Sequence, residues 1–172
     1  MALWDCESSH NAKAFEDARL ACLRARNMYQ TLGEVNLALG DLYRVQGDPE
    51  QALHYYDLVA GDPALRWQGL ARRAQVHVER GEDERAMRDF RQALQASPGN
   101  AEVHAELGYQ QYRLGRYRDA IDAYRTAVEL RPDLSEYWSM YGALLQLAGD
   151  HDQAEAALRR SLALEPKESA RS

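Results

Sequence analysis

A chain of 172 residues with a formal net charge of −6 has no global positive field, which argues against a protein built to neutralise nucleic-acid phosphates. No apolar run approaches the roughly 20 residues that span a bilayer, so no membrane span is expected. The opening MALWDCESSH lacks the basic start and apolar core of a signal peptide, which points to a cytoplasmic chain, with a fragment of an exported or membrane-anchored protein as the alternative. Nineteen arginines against two lysines, Lys13 and Lys167, are read as GC-rich coding and a bacterial origin.

The residues that set the fold recur at a fixed interval of 34. Gly47, Gly81, Gly115 and Gly149 form one column, Ala18, Ala52, Ala86, Ala120 and Ala154 a second, and Pro98, Pro132 and Pro166 a third. Gly40, Ala74, Gly108 and Gly142 are all small, and Tyr56, Phe90, Tyr124 and Leu158 are all large and apolar. Self-similarity of this kind, without insertions, marks a stack of one supersecondary unit.

In chain order, residues 1–32 keep the alanine column at Ala18 and an apolar stripe through Phe15, Cys22, Ala25 and Met28, while their first half is degraded. They read as a degenerate N-terminal capping repeat with a short first helix near residues 2–10. Cys6 and Cys22 read as two small buried thiols in a reduced compartment, a disulfide being the alternative. In residues 33–66, Asp48, Pro49 and Gln51 give an N-cap, a first-turn proline and a capping-box partner, so a helix is expected from Pro49. That helix closes early at Gly61, Asp62 and Pro63, and a shift in the next hairpin is expected.

Residues 67–100 depart most from the pattern. Arg73 stands where a buried leucine belongs, Gly69 costs the first turn about 1 kcal/mol relative to Ala, and Trp67 is expected to supply apolar volume. Arg72 and Arg73 are read as stems lying over apolar surface. Residues 101–134 are the reference unit. Val103, Leu107 and Gly108 share one face of a first helix, and Ala120, Ile121, Tyr124, Ala127 and Val128 make a stripe on a second. Gly115 stops the first helix and Pro132 closes the second. Gly108 and Ala120 are expected to let the backbones approach, with Tyr124 filling the space beside them.

For residues 135–168, Asp133 with Glu136 reads as a capping box, Trp138, Tyr141 and Leu145 as the apolar face, and Asp150 with Gln153 as the second cap. Residues 169–172 are a polar tail. Ala157, Leu158, Leu162 and Leu164 read as too apolar for an uncovered end, so the chain is expected to be a piece of a longer protein or to self-associate through its C-terminal hairpin.

At Leu107, Gly108, Ala120, Tyr124, Ala127 and Pro132, at Leu39, Gly40, Tyr43, Gly47, Ala52 and Tyr56, and at Trp138, Gly142, Gly149, Ala154 and Pro166, the chain resembles the tetratricopeptide repeat family. It departs from the L-G-x-x-Y pattern at Gln111, which has Tyr112 beside it. The resemblance implies an all-α fold, a right-handed α-solenoid of stacked antiparallel helical hairpins, whose first helices line a concave groove. By that mapping the lining includes Glu34, Leu37, Asp41, Arg44, Gln75, Glu79, Glu102, Tyr109, Tyr112, Arg113, Glu136 and Gln146. Five carboxylates against two arginines bias that groove negative, so a basic or amphipathic protein segment or peptide is the favoured partner. Tyr109 and Tyr112 are the anchor candidates, the alternative for Tyr112 being packing between hairpins. The lysines and asparagines of carboxylate-clamp members have no counterpart here.

Catalysis finds no motif. His10, His54, His77, His104 and His151 are scattered, with no pair at ligand spacing, no phosphate loop and no nucleophile motif, so no enzyme activity, cofactor or metal is expected. The reading is a non-catalytic protein–protein interaction module or scaffold. The alternative is an oligomerisation or regulatory segment of a signalling, secretion or envelope protein that acts through its terminal or convex face. RNA binding, known for related arrays of period 35, is disfavoured by the charge and by the period of 34.

Overall fold

The computed structural model describes residues 16–17, 19–21 and 32–164. The expected capping repeat with Cys6, Phe15, Ala18, Cys22, Ala25 and Met28, the column residue Pro166 and the polar tail all lie outside the described residues, apart from residues 16–17 and 19–21, which are helical. Among the described residues all regular structure is α-helical. From residue 32 onward the elements are α1 (Leu32–Gln46), α2 (Pro49–Ala60), α3 (Arg66–Glu79), α4 (Asp83–Ala96), α5 (Ala101–Arg113), α6 (Tyr117–Leu130), α7 (Ser135–Leu147) and α8 (His151–Leu164). No helix among the described residues is long and apolar enough to cross a membrane.

The helices fall into two compact units, Met1–Ser97 and Pro98–Ser172. In the first, α1 pairs with α2 and α3 with α4, and α2 packs on α3; in the second, α5 pairs with α6 and α7 with α8, and α6 packs on α7. The hairpins are closed by the glycine column. Gly47, Gly81, Gly115 and Gly149 have φ of 83°, 71°, 72° and 83°, a region that strains any side chain. Each turn is sealed by the same long backbone bond, from the N–H of Asp48, Glu82, Arg116 and Asp150 to the carbonyls of Tyr43, His77, Gln111 and Leu145, at 2.8 to 3.0 Å. These are Schellman closures.

Two of the three N-caps expected from the sequence form, at α2 and α8. Asp48 Oδ1 accepts from the Gln51 N–H at 3.1 Å, and Asp150 Oδ1 from the Gln153 N–H at 3.2 Å. Asn100 does the same for Val103 at 3.1 Å. The expected capping box of Asp133 and Glu136 does not form. The N-cap of α7 is Leu134, with no side-chain bond, and the Asp133 carboxylate instead accepts from Arg131 Nε and Nη2 at 2.9 and 2.8 Å. A charge-assisted fork two residues away outcompetes the neutral amide. The Arg131 guanidinium holds the Asp133 carboxyl down at about 2.

The small column meets the large column directly. A Cβ built on Gly40 would lie 2.5 Å from the Tyr56 ring, one on Gly108 would lie 2.9 Å from the Tyr124 ring, and one on Gly142 would lie 2.8 Å from Leu158. The ring of Tyr124 thus lies on Gly108 itself, and in the last hairpin the carbonyl of Ala154, on the alanine column, lies 3.2 Å from a Cβ built on Gly142. Gly69 is also explained. A Cβ there would come within 2.5 Å of the Ala60 nitrogen and 2.9 Å of the Tyr56 carbonyl, so α3 crosses α2 backbone against backbone. The propensity cost of that glycine is offset by an approach no other residue allows.

One polar contact repeats with the period. His104 and Trp138 share a column, and their Nε2 and Nε1 donate to the carbonyls of Pro98 and Pro132 at 2.9 and 3.0 Å. Of the four residues expected to be too apolar for an uncovered end, Ala157 is buried, Leu158 and Leu164 are half-buried, and Leu162 is exposed.

Candidate functional site

In the first unit the mapped groove residues mostly satisfy one another. Glu34 is exposed, and Leu37 packs against Ala52, Tyr56 and Val76. Arg44 on α1 pairs with Glu79 on α3 at 2.7 Å, and Arg72 Nε on α3 lies 3.6 Å from Asp41 on α1 and brings Nη1 to within 3.5 Å of Gln75 Oε1. Asp41 also accepts the Tyr56 hydroxyl proton at 2.7 Å. Burial and then the Asp41 charge push that phenol far above its ordinary range. Counting carboxylates along the first helices therefore overstates the free negative charge here, because two of the five are neutralised from the neighbouring helix.

Arg73 is not an apolar cover. It forks onto Asp89 with Nε and Nη2 both at 2.7 Å, and its Nη1 reaches Asp57 at 2.5 Å. Asp89 is only 5% exposed, so the leucine position of this repeat has become a largely buried ion pair joining α3 to α4 and α2. His77 extends the network, with Nδ1 2.7 Å from Glu82 and Nε2 3.7 Å from Asp89. Beside it an open depression of about 700 Å³ is lined by Asp57, Arg66, Leu70, Arg73, Gln92 and Gln95.

The second unit presents a different surface. On α5, Glu102, Glu106, Tyr109 and Arg113 follow one another at helical spacing and form a single stripe. Tyr109 is 45% exposed, and Tyr117 beyond the turn is 46% exposed. Tyr112 lies between them, its ring centroid 6.3 Å from Tyr109 and 6.1 Å from Tyr117, and is half-buried against the core that contains Ala105, Ile121, Tyr141 and Leu144. Arg113 donates Nη1 to Gln110 at 2.9 Å.

From α7 comes Tyr137, half-buried against the same core. Its hydroxyl is pushed up, by burial first and then by Glu102; Arg131 opposes, and Glu106 and Glu136 add to the rise. The phenol of Tyr124 is pushed up by its burial and then by Glu106, Tyr109 and Tyr137. Three carboxylates from two helices thus gather around Tyr137, next to an exposed tyrosine. Glu102 and Glu136 are exposed and make no ion pair among the described residues, and Gln146 is exposed further along α7. Glu106 and Tyr137 are absent from the mapped lining; the i+4 spacing from Glu102 and the adjacency to Glu136 were the signals that could have found them.

Among the described residues no group of three or more His, Cys, Asp and Glu side chains is placed to hold a metal. Three sequence profiles described as "Tetratricopeptide repeat" match residues 37–101, 77–144 and 136–160. The human "Protein O-mannosyl-transferase TMTC1" is 23% identical over 161 residues, 91% of this chain and 18% of that protein, so this chain spans under a fifth of that relative's length. A solved structure titled "Crystal structure of MamA" is 19% identical, covers 89% of this chain and 90% of its own, and superposes with a TM-score of 0.74. "MamA 41-end from Desulfovibrio magneticus RS-1" is likewise 19% identical, covering 91% and 89% with a TM-score of 0.71. At such identities the likeness is one of fold. With helical hairpins closed by a periodic glycine, small residues seated under large ones, and profile matches that together run from residue 37 to 160, this chain belongs to the tetratricopeptide repeat family.

Proposed function

We propose that this chain, a protein-interaction scaffold by its fold, binds a basic amphipathic segment of another protein on the α5–α7 surface of its second unit, without chemistry of its own. The observation that carries the reading is the gathering of Glu102, Glu106 and Glu136 around half-buried Tyr137 beside exposed Tyr109. Glu102 and Glu136, exposed and without an ion pair among the described residues, supply attraction and steering, and a tyrosine supplies contact area at small rotamer cost. The mapped residues of the first unit contribute less, since Asp41, Arg44 and Glu79 are occupied with one another and with Arg72.

The test is fluorescence anisotropy with a labelled amphipathic peptide carrying a lysine stripe. Saturable binding is expected to weaken as salt is raised, because exposed charges are screened. Tyr109→Ala is expected to weaken it about tenfold, and Glu102→Lys with Glu136→Lys further, while far-ultraviolet circular dichroism stays unchanged. Equal affinity across these variants, or no saturable binding, refutes the reading.

A second reading has its own observation. Leu147 at 61% and Leu162 at 67% exposure leave apolar surface on α7 and α8 that self-association would cover. Sedimentation across a concentration series tests it, and a constant monomer mass, or an association unaffected by Leu162→Glu, removes it.

A further inference from the structure

The α5 surface is polar in the sense of having two ends. Glu102 and Glu106 stand toward its N-terminus, Tyr109 and Tyr112 follow, and Arg113 stands at its last turn, 12 residues spanning about 16 Å. Glu136 of α7 adds to the acidic end, while exposed Tyr117, its ring 6.1 Å from Tyr112, carries the stripe past Gly115. The helix macrodipole favours acids first and bases last on α5 itself. It does not account for Glu136, which belongs to another helix and joins Glu102 and Glu106 around Tyr137. Nor does it account for Tyr109, left 45% exposed between the charged ends with half-buried Tyr112 beside it.

We infer that the segment bound here is an α-helix of about three turns lying antiparallel to α5, its acidic N-terminal end over Arg113 and its basic C-terminal end over Glu102, Glu106 and Glu136. The inference rests on the interaction surface proposed above and adds a direction to it. A partner helix is itself most stable with carboxylates in its first turn and cations in its last. Such a helix is complementary to this surface only when antiparallel, because a parallel one sets acid on acid and base on base. The middle of its contact stripe is apolar or aromatic, where it meets Tyr109 and Tyr112.

The probe is a stapled helical peptide of about 18 residues, a length that spans the stripe with a turn to spare. It carries glutamates in its first turn, leucines at i, i+3 and i+4 in the middle, and lysines in its last turn, and is prepared with a nitroxide at either end. Paramagnetic broadening of backbone amides in the full chain reads the direction. The N-terminal label is expected to broaden the amides around Gly115, and the C-terminal label those around Glu102. The opposite assignment, or equal broadening by both labels, overturns the direction while leaving the binding surface standing; absence of saturable binding overturns both. As an independent readout, the paired exchange Glu102→Arg with Arg113→Glu, at two exposed positions, is expected to weaken this peptide at least tenfold. It should also restore affinity for a peptide of exchanged end charges bound in the same direction, and unchanged affinities refute the proposal.

Discussion

Arg73 lets the energetics of this fold be tested with two substitutions. Its side chain is about a quarter exposed and forks onto Asp89, whose side chain is 7% exposed, while its contact with Asp57 is to a side chain that is 59% exposed. Arg73→Leu restores the residue that stands at the matching position in α5, Leu107, and on hydrophobicity alone it would stabilise. The structure argues the reverse. Removing the cation strands Asp89 in the α3–α4 hairpin, with the His77 ring nitrogen Nε2 left 3.7 Å away. Breaking a buried pair from one side costs about 3–5 kcal/mol. Discounting for the exposed quarter of the arginine and for the leucine's own burial leaves a loss of about 2–3 kcal/mol. The surface contact with Asp57 adds at most about 1 kcal/mol. Replacing both members, Arg73→Leu with Asp89→Ala, reproduces the Leu107 and Ala123 pair of the next hairpin and is expected to recover most of that loss. Urea denaturation followed by circular dichroism, with equal slopes for all variants, gives the numbers. A single variant as stable as the parent, or a double variant no better than the single, would refute the assignment of Asp89 as a buried charge dependent on Arg73.

Gly69→Ala separates propensity from packing: helix propensity alone predicts a gain of about 1 kcal/mol. The overlap of its Cβ with the backbone of Ala60 and Tyr56 predicts a net loss of about 1–3 kcal/mol in thermal or urea unfolding. For Asp133, the folded carboxyl is held at about 2 against 3.8 for the free group, chiefly by its hydrogen bond from Arg131. A depressed carboxyl stabilises the fold above its unfolded value, so this contribution is complete above about pH 4 and is lost as the pH falls through about 2. A carboxyl-detected titration of the Arg131→Gln variant is expected to show the Asp133 midpoint returning toward 3.8, and an unmoved midpoint would contradict the pairing.

What was legible in the sequence was what one hairpin decides by itself. Gly47 and Gly115 act within a single turn, and Asp48, Pro49 and Gln51 sit within four consecutive residues, so their chemistry is visible in a short window. Asp133 shows the limit of that window, since Arg131 lay equally close and offered its carboxylate a stronger partner. The larger gaps concern side chains that answer to another helix. Arg73 finds Asp89 and Asp57, each 16 residues away, and Glu79 is claimed by Arg44, 35 residues away. A register of groove positions marks where these side chains sit along the helix; it does not say which charges are already taken. Glu106 and Tyr137 were passed over for the converse reason, because each gains its meaning from charges that meet across α5 and α7.

The ring of Tyr56 lies on Gly40 in the interior while its hydroxyl reaches out to Asp41. Folding and any binding engineered at Asp41 are therefore not separately mutable at that corner. A designer who randomises the partly exposed α1 and α3 residues of the first unit to capture new ligands should hold Asp41 constant, or exchange Tyr56 for Phe in the same step. Otherwise clones selected for altered binding will be depleted for a reason unrelated to their targets: a phenol left without its acceptor.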